Sequence, residues 1–278
     1  MNKTLVLGAV AYDPKVVTIW NGFREFFAGQ GFDFDYVLYS NYEAQVRGHF
    51  AGHCDIAWNS PLAWIEAERL AVQRSRTARA VAMRDTDRDL TSVVVARSDS
   101  GIADLAALRG RRVAVGAVDS PQATLIPLQL LAENGLAPGI DFEVVPFNVG
   151  QGLHGDHIGG ERDAARALMS GKVDACCLLD ANRLLLAREG TLPTAASQIL
   201  AETEPFDHCN FTVLDGAPEQ LVDRFVDLLL GMSFDDPAVR PLLEMEGLTR
   251  WLPGRTTGYG ALDRMVDRTG YLDRFLQG

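Results

Sequence analysis

Residues 4–10, TLVLGAV, alternate small and apolar positions and read as a strand, and residues 14–27 then carry Val17, Trp20, Phe23 and Phe27 at helical spacing. The same alternation continues. The pattern predicts a strand over 32–39, a helix over 42–50, a short strand over 55–58, a helix over 61–72 and a strand over 78–83. Residues 90–96, LTSVVVA, form an apolar β-branched run that crosses into a second unit. There the pattern gives a short helix (102–108), a strand (112–115), a helix (121–134), a strand (142–146), a helix (161–170) and a strand (173–179). A helix over 182–189, strands over 198–203 and 210–214, and helices over 218–232, 237–243 and 259–275 complete the chain.

Repeated βα alternation predicts an α/β protein whose mainly parallel sheets are flanked by helices. The apolar runs near Thr91 and Thr203 read as two crossings, which makes lobe 1 discontinuous (1–91 and 204–278) and lobe 2 an insertion (92–203). A simple tandem of two domains is the open alternative.

The 278 residues suffice for two ordinary domains, and 47% hydrophobic with 23% charged residues is a globular composition. A net charge of −11 argues against nucleic acid as a partner, because that affinity comes from neutralising phosphates. It leaves small anions open, since local N–H groups outweigh a screened distant charge. No stretch approaches the roughly 18–20 apolar residues of a membrane span, so no direct membrane insertion is expected. Cys54, Cys176, Cys177 and Cys209 show no CxxC spacing and read as core thiols, which suits a reducing compartment. The chain as written enters its first strand at once, with no apolar leader and cleavage site, and therefore reads as cytoplasmic; periplasmic is the alternative if a leader precedes it.

Candidate chemistry gathers where strands end and helices begin. Tyr12 follows the first strand, Trp58, Asn59 and Ser60 follow the third, and Asp180 follows the strand that contains Cys176 and Cys177. Asp119, Ser120, Gln122 and Thr124 surround a helix start with Pro121 at its first position. A helix start has unpaired N–H groups and partial positive charge, so it can hold an anion; the same residues also suit plain capping. Aromatic walls and short hydroxyl or amide side chains converging on one rim would line a ligand pocket.

The glycine-rich loop 150–163, with His154, Asp156, His157 and Glu161, holds metal-capable groups, and His208 with Cys209 could join them. HxxH in a loop, without HExxH or CxxC support, assigns no metal. The preferred reading is a histidine, His154 or His157, that hydrogen-bonds a ligand while glycines admit its close approach. Arg162 could clamp an anion but sits in a helix pattern suited to surface ion pairs. Cys209 beside His208, and Ser120 beside Asp119, have nucleophile atom types, yet a triad must meet in space rather than in sequence, so no catalytic residue is assigned.

These segments resemble the substrate-binding components of phosphonate-type ABC transporters, within the type 2 periplasmic binding protein superfamily. The likeness spans nearly the whole chain. It rests on the early strand with Tyr12, on DIAWNSPLAWIEAE (55–68), on DLAALRGRRVAVGAVDSPQATLIP (104–127) and on ERDAARALMSGKVDACCLLDA (161–181). The resemblance implies two α/β lobes joined by a two-strand hinge, a small polar or anionic ligand held between them, an ABC transporter permease as partner, and no cofactor. It marks Tyr12, Trp58, Asn59, Ser60, Ser120, Thr124, His157 and Asp180 as pocket positions. Members of this family carry a Ser/Thr-Ser-Gly-rich anion turn; here the turn is Asp119-Ser120-Pro121-Gln122-Ala123-Thr124, in which Pro121 lacks a donor and Asp119 adds a carboxylate. A sulfonate, a carboxylate, a zwitterion or a larger heterocycle therefore stands beside phosphonate. The alternative from another class is an intracellular enzyme on the same fold that uses the His154/His157 loop; a cytosolic ligand sensor is a third reading.

Overall fold

The computed structural model describes residues 4–277. Met1–Lys3, on which the reading of the N-terminus partly rests, lie outside the described residues. The chain divides into two compact units, the first comprising the chain up to Arg88, Asp207–Gly258 and the chain from Leu272, the second Asp89–Phe206 and Tyr259–Tyr271.

In chain order the elements are β1 (Leu5–Val10), α1 (Lys15–Gly29), β2 (Phe34–Tyr39), α2 (Tyr42–Phe50), β3 (Ile56–Asn59), α3 (Pro61–Gln73) and β4 (Ala78–Arg84). The second unit holds β5 (Ser92–Arg97), β6 (Arg112–Val115), α4 (Ile126–Glu133), β7 (Glu143–Pro146), α5 (Gly159–Met169), β8 (Ala175–Leu179), α6 (Asp180–Arg188) and β9 (Ser197–Glu202). Then follow β10 (Asn210–Leu214), α7 (Glu219–Leu230), α8 (Arg240–Glu246), β11 (Trp251–Pro253), α9 (Gly260–Thr269) and α10 (Asp273–Gln277).

The first sheet has the order β11-β4-β10-β3-β1-β2 and the second β7-β6-β8-β5-β9. The βα repeats run parallel: β2, β1 and β3 in one sheet, β7, β6 and β8 in the other. Each sheet also accepts one strand just after the chain crosses, and that strand is antiparallel to its neighbours on both sides: β10 between β3 and β4, β5 between β8 and β9. Both are interior strands and are buried along almost their whole length, with the polar Ser92, Asn210 and Thr212 satisfied by hydrogen bonds.

The core of the first unit is aromatic. α1 buries Val16, Ile19, Trp20, Phe23 and Phe27; Trp20, Phe23 and Phe27 lie on the buried face as expected, while Val17 is exposed and Val16 takes the inward position. Phe211 of β10 packs against Trp58 at 4.6 Å between ring centroids, Phe225 at 5.1 Å and Trp251 at 5.3 Å. Such tilted and edge-on pairs add to area burial. Capping sets the entry of two helices: the Asn41 and Ser60 side chains accept from the N–H of Ala44 (2.8 Å) and Ala63 (3.1 Å).

Some elements differ from the sequence reading. The helix expected over 259–275 is two helices, α9 and α10, because Gly270 adopts φ +61° and ends α9. The three-residue β11 has no periodic signal and was not anticipated; it pairs with β4. Where the sequence order placed all of 204–278 in lobe 1, α9 belongs with the second unit: Arg268 reaches Gln129 and Arg264 reaches Glu133 on α4, each at 2.9 Å.

In the second unit Glu161 is buried in the first turn of α5. Its Oε2 accepts from the Leu179 N–H (3.0 Å) and its Oε1 from the Asn182 amide (3.0 Å), tying α5 to the β8–α6 junction. Burial pushes its carboxyl up to about 7, against the opposing effect of those two donors.

Two outcomes follow for stability. Phe211→Ala removes the ring shared by four aromatic neighbours and lowers unfolding free energy by about 3–5 kcal/mol, read by chemical denaturation. For Glu161 the folded-state carboxyl binds its proton more tightly than the unfolded one, so its stabilising effect is full below about pH 4.5 and is lost as pH rises through about 7. The difference in stability between wild type and Glu161→Gln, whose amide Asn182 can match by flipping, therefore shifts in favour of the variant by about 3 kcal/mol between pH 4 and pH 8. A pH-independent difference contradicts the assignment.

Candidate functional site

In the first unit Ala11 donates its N–H to the Tyr39 carbonyl (2.9 Å), which ends β1, and Tyr12 follows, half-buried against the aromatic core with Lys15 Nζ 5.7 Å from its ring centroid. Trp58, expected as a pocket wall, lies at the end of β3 with 4% exposure inside the aromatic core, and the Arg84 guanidinium stands 5.1 Å from its ring centroid. Asn59 is fully buried: its Oδ1 accepts from Gln45 Nε2 (2.8 Å) and its Nδ2 donates to Thr212 Oγ1 (2.9 Å). Ser60 caps α3. All three side chains are buried, so none of them projects from the end of β3.

In the second unit the expected helix over 121–134 opens with a wide π-type turn, Pro121–Leu125, before α4. Thr124 and Leu125 both donate their N–H to the Ser120 carbonyl, at 3.1 and 2.9 Å, while Ser120 Oγ accepts from the Ala123 N–H at 3.2 Å. Thr124 Oγ1 donates to the Ala117 carbonyl (2.7 Å). Ser120, Gln122 and Thr124 are all buried, so the hydroxyls assigned to a ligand are engaged in shaping the turn.

The glycine-rich loop lies on this helix start. The carboxylate of Asp119 accepts through Oδ2 from the backbone N–H groups of Gly152 (2.5 Å) and His154 (3.4 Å), and Gln122 Nε2 donates to the Gly155 carbonyl (2.8 Å). Close approach explains the glycines: a Cβ on Gly155, at φ +80°, would overlap Ser120 Oγ, and one on Gly160 would come within 2.6 Å of the Phe147 carbonyl oxygen. His154 is fully buried and holds φ +49°, an uncommon conformation for a residue with a Cβ. His157 is exposed, with Nδ1 accepting from the Gly159 N–H (3.1 Å). Asp180, partly exposed at the start of α6, binds Arg183 Nε at 2.8 Å.

Two residues outside the sequence reading hold this turn. Asn148 Oδ1 accepts from the Val118 N–H (2.9 Å), and Ser92 Oγ donates to the Gln122 carbonyl (2.5 Å). A serine within the apolar run LTSVVVA was the available signal for Ser92; Asn148, a lone loop amide, gave none.

The other chemical candidates resolve on geometry. Glu161 spends both oxygens on Leu179 and Asn182 instead of on the loop histidines. His208 Nδ1 lies 3.1 Å from Cys209 Sγ and 3.5 Å from Asp87 Oδ1, so one nitrogen faces both groups and no base-to-acid relay forms. Asp87 is bound by Arg84 at 2.6 and 2.8 Å; burial raises its carboxyl, and the Arg84 charge and hydrogen bonds overcome this and hold it at about 2. A carboxylate already accepting from Arg84 and from the Cys209 N–H (3.2 Å) is a poor metal ligand. The four cysteines are free and buried, and burial pushes the thiols of Cys54 and Cys177 up to about 12, which suppresses thiolate chemistry. Arg162 forms a surface pair with Glu189 at 2.9 Å.

The fold and sequence both have relatives. The structure is similar to PhnD1 from Prochlorococcus marinus in complex with methylphosphonate (18% identity, 97% of this chain and 99% of that chain, TM-score 0.68). It is similar also to XAC2383 from Xanthomonas citri bound to ATP (18% identity, 98% of each chain, TM-score 0.71) and to the periplasmic aliphatic sulphonate binding protein SsuA from Escherichia coli (15% identity, 100% and 95%, TM-score 0.61). These likenesses show the two-lobed α/β fold class expected from the sequence. Residues 10–259 match the model for ABC transporter, phosphonate, periplasmic substrate-binding protein. With nine-tenths of its length inside that match, the chain belongs to the phosphonate-type periplasmic substrate-binding family of ABC transporters.

Proposed function

We propose that this protein captures a small polar or anionic solute of phosphonate or sulfonate size and delivers it to the permease of an ABC importer on the periplasmic side of the membrane. The observation that carries this reading is the family match over residues 10–259. The bound solutes named for the similar structures, methylphosphonate and ATP, support a small polar cargo. No helix among the described residues is long and apolar enough to cross a membrane, which agrees with a carrier that meets its permease as a separate subunit. Nothing in the family match or the similar structures supports the enzyme alternative built on His154 and His157.

On the second unit His157 and Asp180 keep side-chain surface exposed and are assigned direct contact with the solute; on the first unit Tyr12 is half-buried. Asp119, Ser120, Gln122, Thr124 and His154 form the turn-and-loop assembly that shapes the second unit's rim, and Trp58, Asn59 and Ser60 support the first unit's. A phenol can pack and donate, an imidazole can donate, and a carboxylate can accept from the non-anionic part of a solute.

The test is differential scanning fluorimetry with small phosphonates, sulfonates and carboxylates. A cognate solute at one hundred times its dissociation constant stabilises the protein by about 2.7 kcal/mol and is recovered unchanged. His157→Ala and Asp180→Ala fold normally and lose most of the thermal shift. Turnover of the bound compound, or full shifts in both variants, overturns the reading.

A further inference from the structure

The donors of the second unit's helix start are largely consumed by the protein itself. Pro121 has none, the N–H groups of Ala123, Thr124 and Leu125 all go to Ser120, and the N–H of Val118 goes to Asn148. The positive end of the helix already faces a resident anion, because the Asp119 carboxylate sits beside it and binds the loop N–H groups of Gly152 and His154. Segments 116–125 and 148–160 contain Asp119 and Asp156 but no lysine or arginine to balance a further negative charge.

What the turn does offer is acceptors. Among the described residues, Asp119 Oδ1 and Gln122 Oε1 are buried polar atoms without a hydrogen-bond partner, on side chains that are both 3% exposed. Their opposite ends are fixed, Asp119 Oδ2 by Gly152 and Gln122 Nε2 by Gly155, so neither can turn to find a donor without breaking the loop's attachment. A buried acceptor left unpaired is costly, and the cost is removed by a ligand that donates.

We infer that the turn at Asp119–Gln122 receives a hydrogen-bond-donating cationic group of the solute, a primary ammonium, and that Asp119 selects for it. The inference rests on the proposed reading that this turn belongs to the solute site. It reverses the polarity expected of a helix start: the protein's own carboxylate takes the place of the ligand anion, and the anionic end of the solute is met elsewhere.

Isothermal titration calorimetry with two matched pairs tests this: methylphosphonate against aminomethylphosphonate, and ethanesulfonate against 2-aminoethanesulfonate. In wild type the amino member of the pair that binds is tighter by at least tenfold. Asp119→Asn, which still accepts from the loop, cuts that preference at least tenfold, and Gln122→Met reduces it severalfold. Thermal melts report folding, and if Asp119→Asn does not fold, Gln122→Met decides. Equal or weaker binding of the amino member in wild type, or an unchanged preference in the variants, overturns this inference alone. Binding of none of the four compounds overturns the proposed solute class together with it.

Discussion

The first sheet is not completed by the stretch of chain that begins it, whereas the five strands of the second lie within one continuous stretch. β10 lies between β3 and β4, and β5 between β8 and β9, each antiparallel to both neighbours and each entering straight after a crossing. A central strand is hydrogen-bonded along both edges and covered on both faces, so its removal would expose four neighbouring ladders' worth of backbone groups across the two sheets. The crossing segments are themselves paired, with Leu90 and Phe206 exchanging two hydrogen bonds of 2.8 Å and Asp87 accepting from the His208 N–H at 2.7 Å. The first unit's sheet therefore requires β10 and β11 from beyond residue 206, while the second unit adds only α9 to a sheet built from one continuous stretch, and the aromatic core of the first unit has Phe211, on β10, among its central members.

That frame sets the candidate residues at strand ends, and electrostatics decides what each can do there. Buried carboxylates meet three different fates. Asp87 is held ionised by Arg84. Glu161, with two neutral donors and no cation, is pushed up to about 7. Asp119 lies between a helix start and loop N–H groups, where backbone partial charge takes the role of a counter-ion. The first and third attach segments through charge-assisted hydrogen bonds, whereas the second does so at a cost that grows with ionisation. The loop that carries His154 and His157 is thus anchored near its middle by Asp119 and Gln122, and just beyond its end by Glu161.

The sequence made legible the α/β class and nearly every strand and helix, because hydrophobic periodicity reports directly which face of an element is buried. It also placed the strand-end turns that contain Tyr12, Ser120 and Asp180, since capping chemistry is local. It did not reveal that Gly270 divides the last helix, that β11 exists, or that α9 packs on α4. Those outcomes depend on positive φ at one glycine, on a strand too short for periodicity, and on Arg264 and Arg268 finding Glu133 and Gln129 more than a hundred residues earlier.

The division is sharpest at the turn itself. Residue types alone established a helix start with Pro121 at its head, a cap at Ser120 and a carboxylate at Asp119, because each effect acts within one turn of backbone. Which way Asp119 points, and whether Trp58 is a wall or a core residue, was decided only by tertiary structure. The loop N–H groups of Gly152 and His154 captured the first, and the rings of Phe211 and Trp251 enclosed the second. A side chain's partner is chosen among everything that packing brings within about 3 Å, and that set is fixed by contacts between distant segments, which no local pattern records.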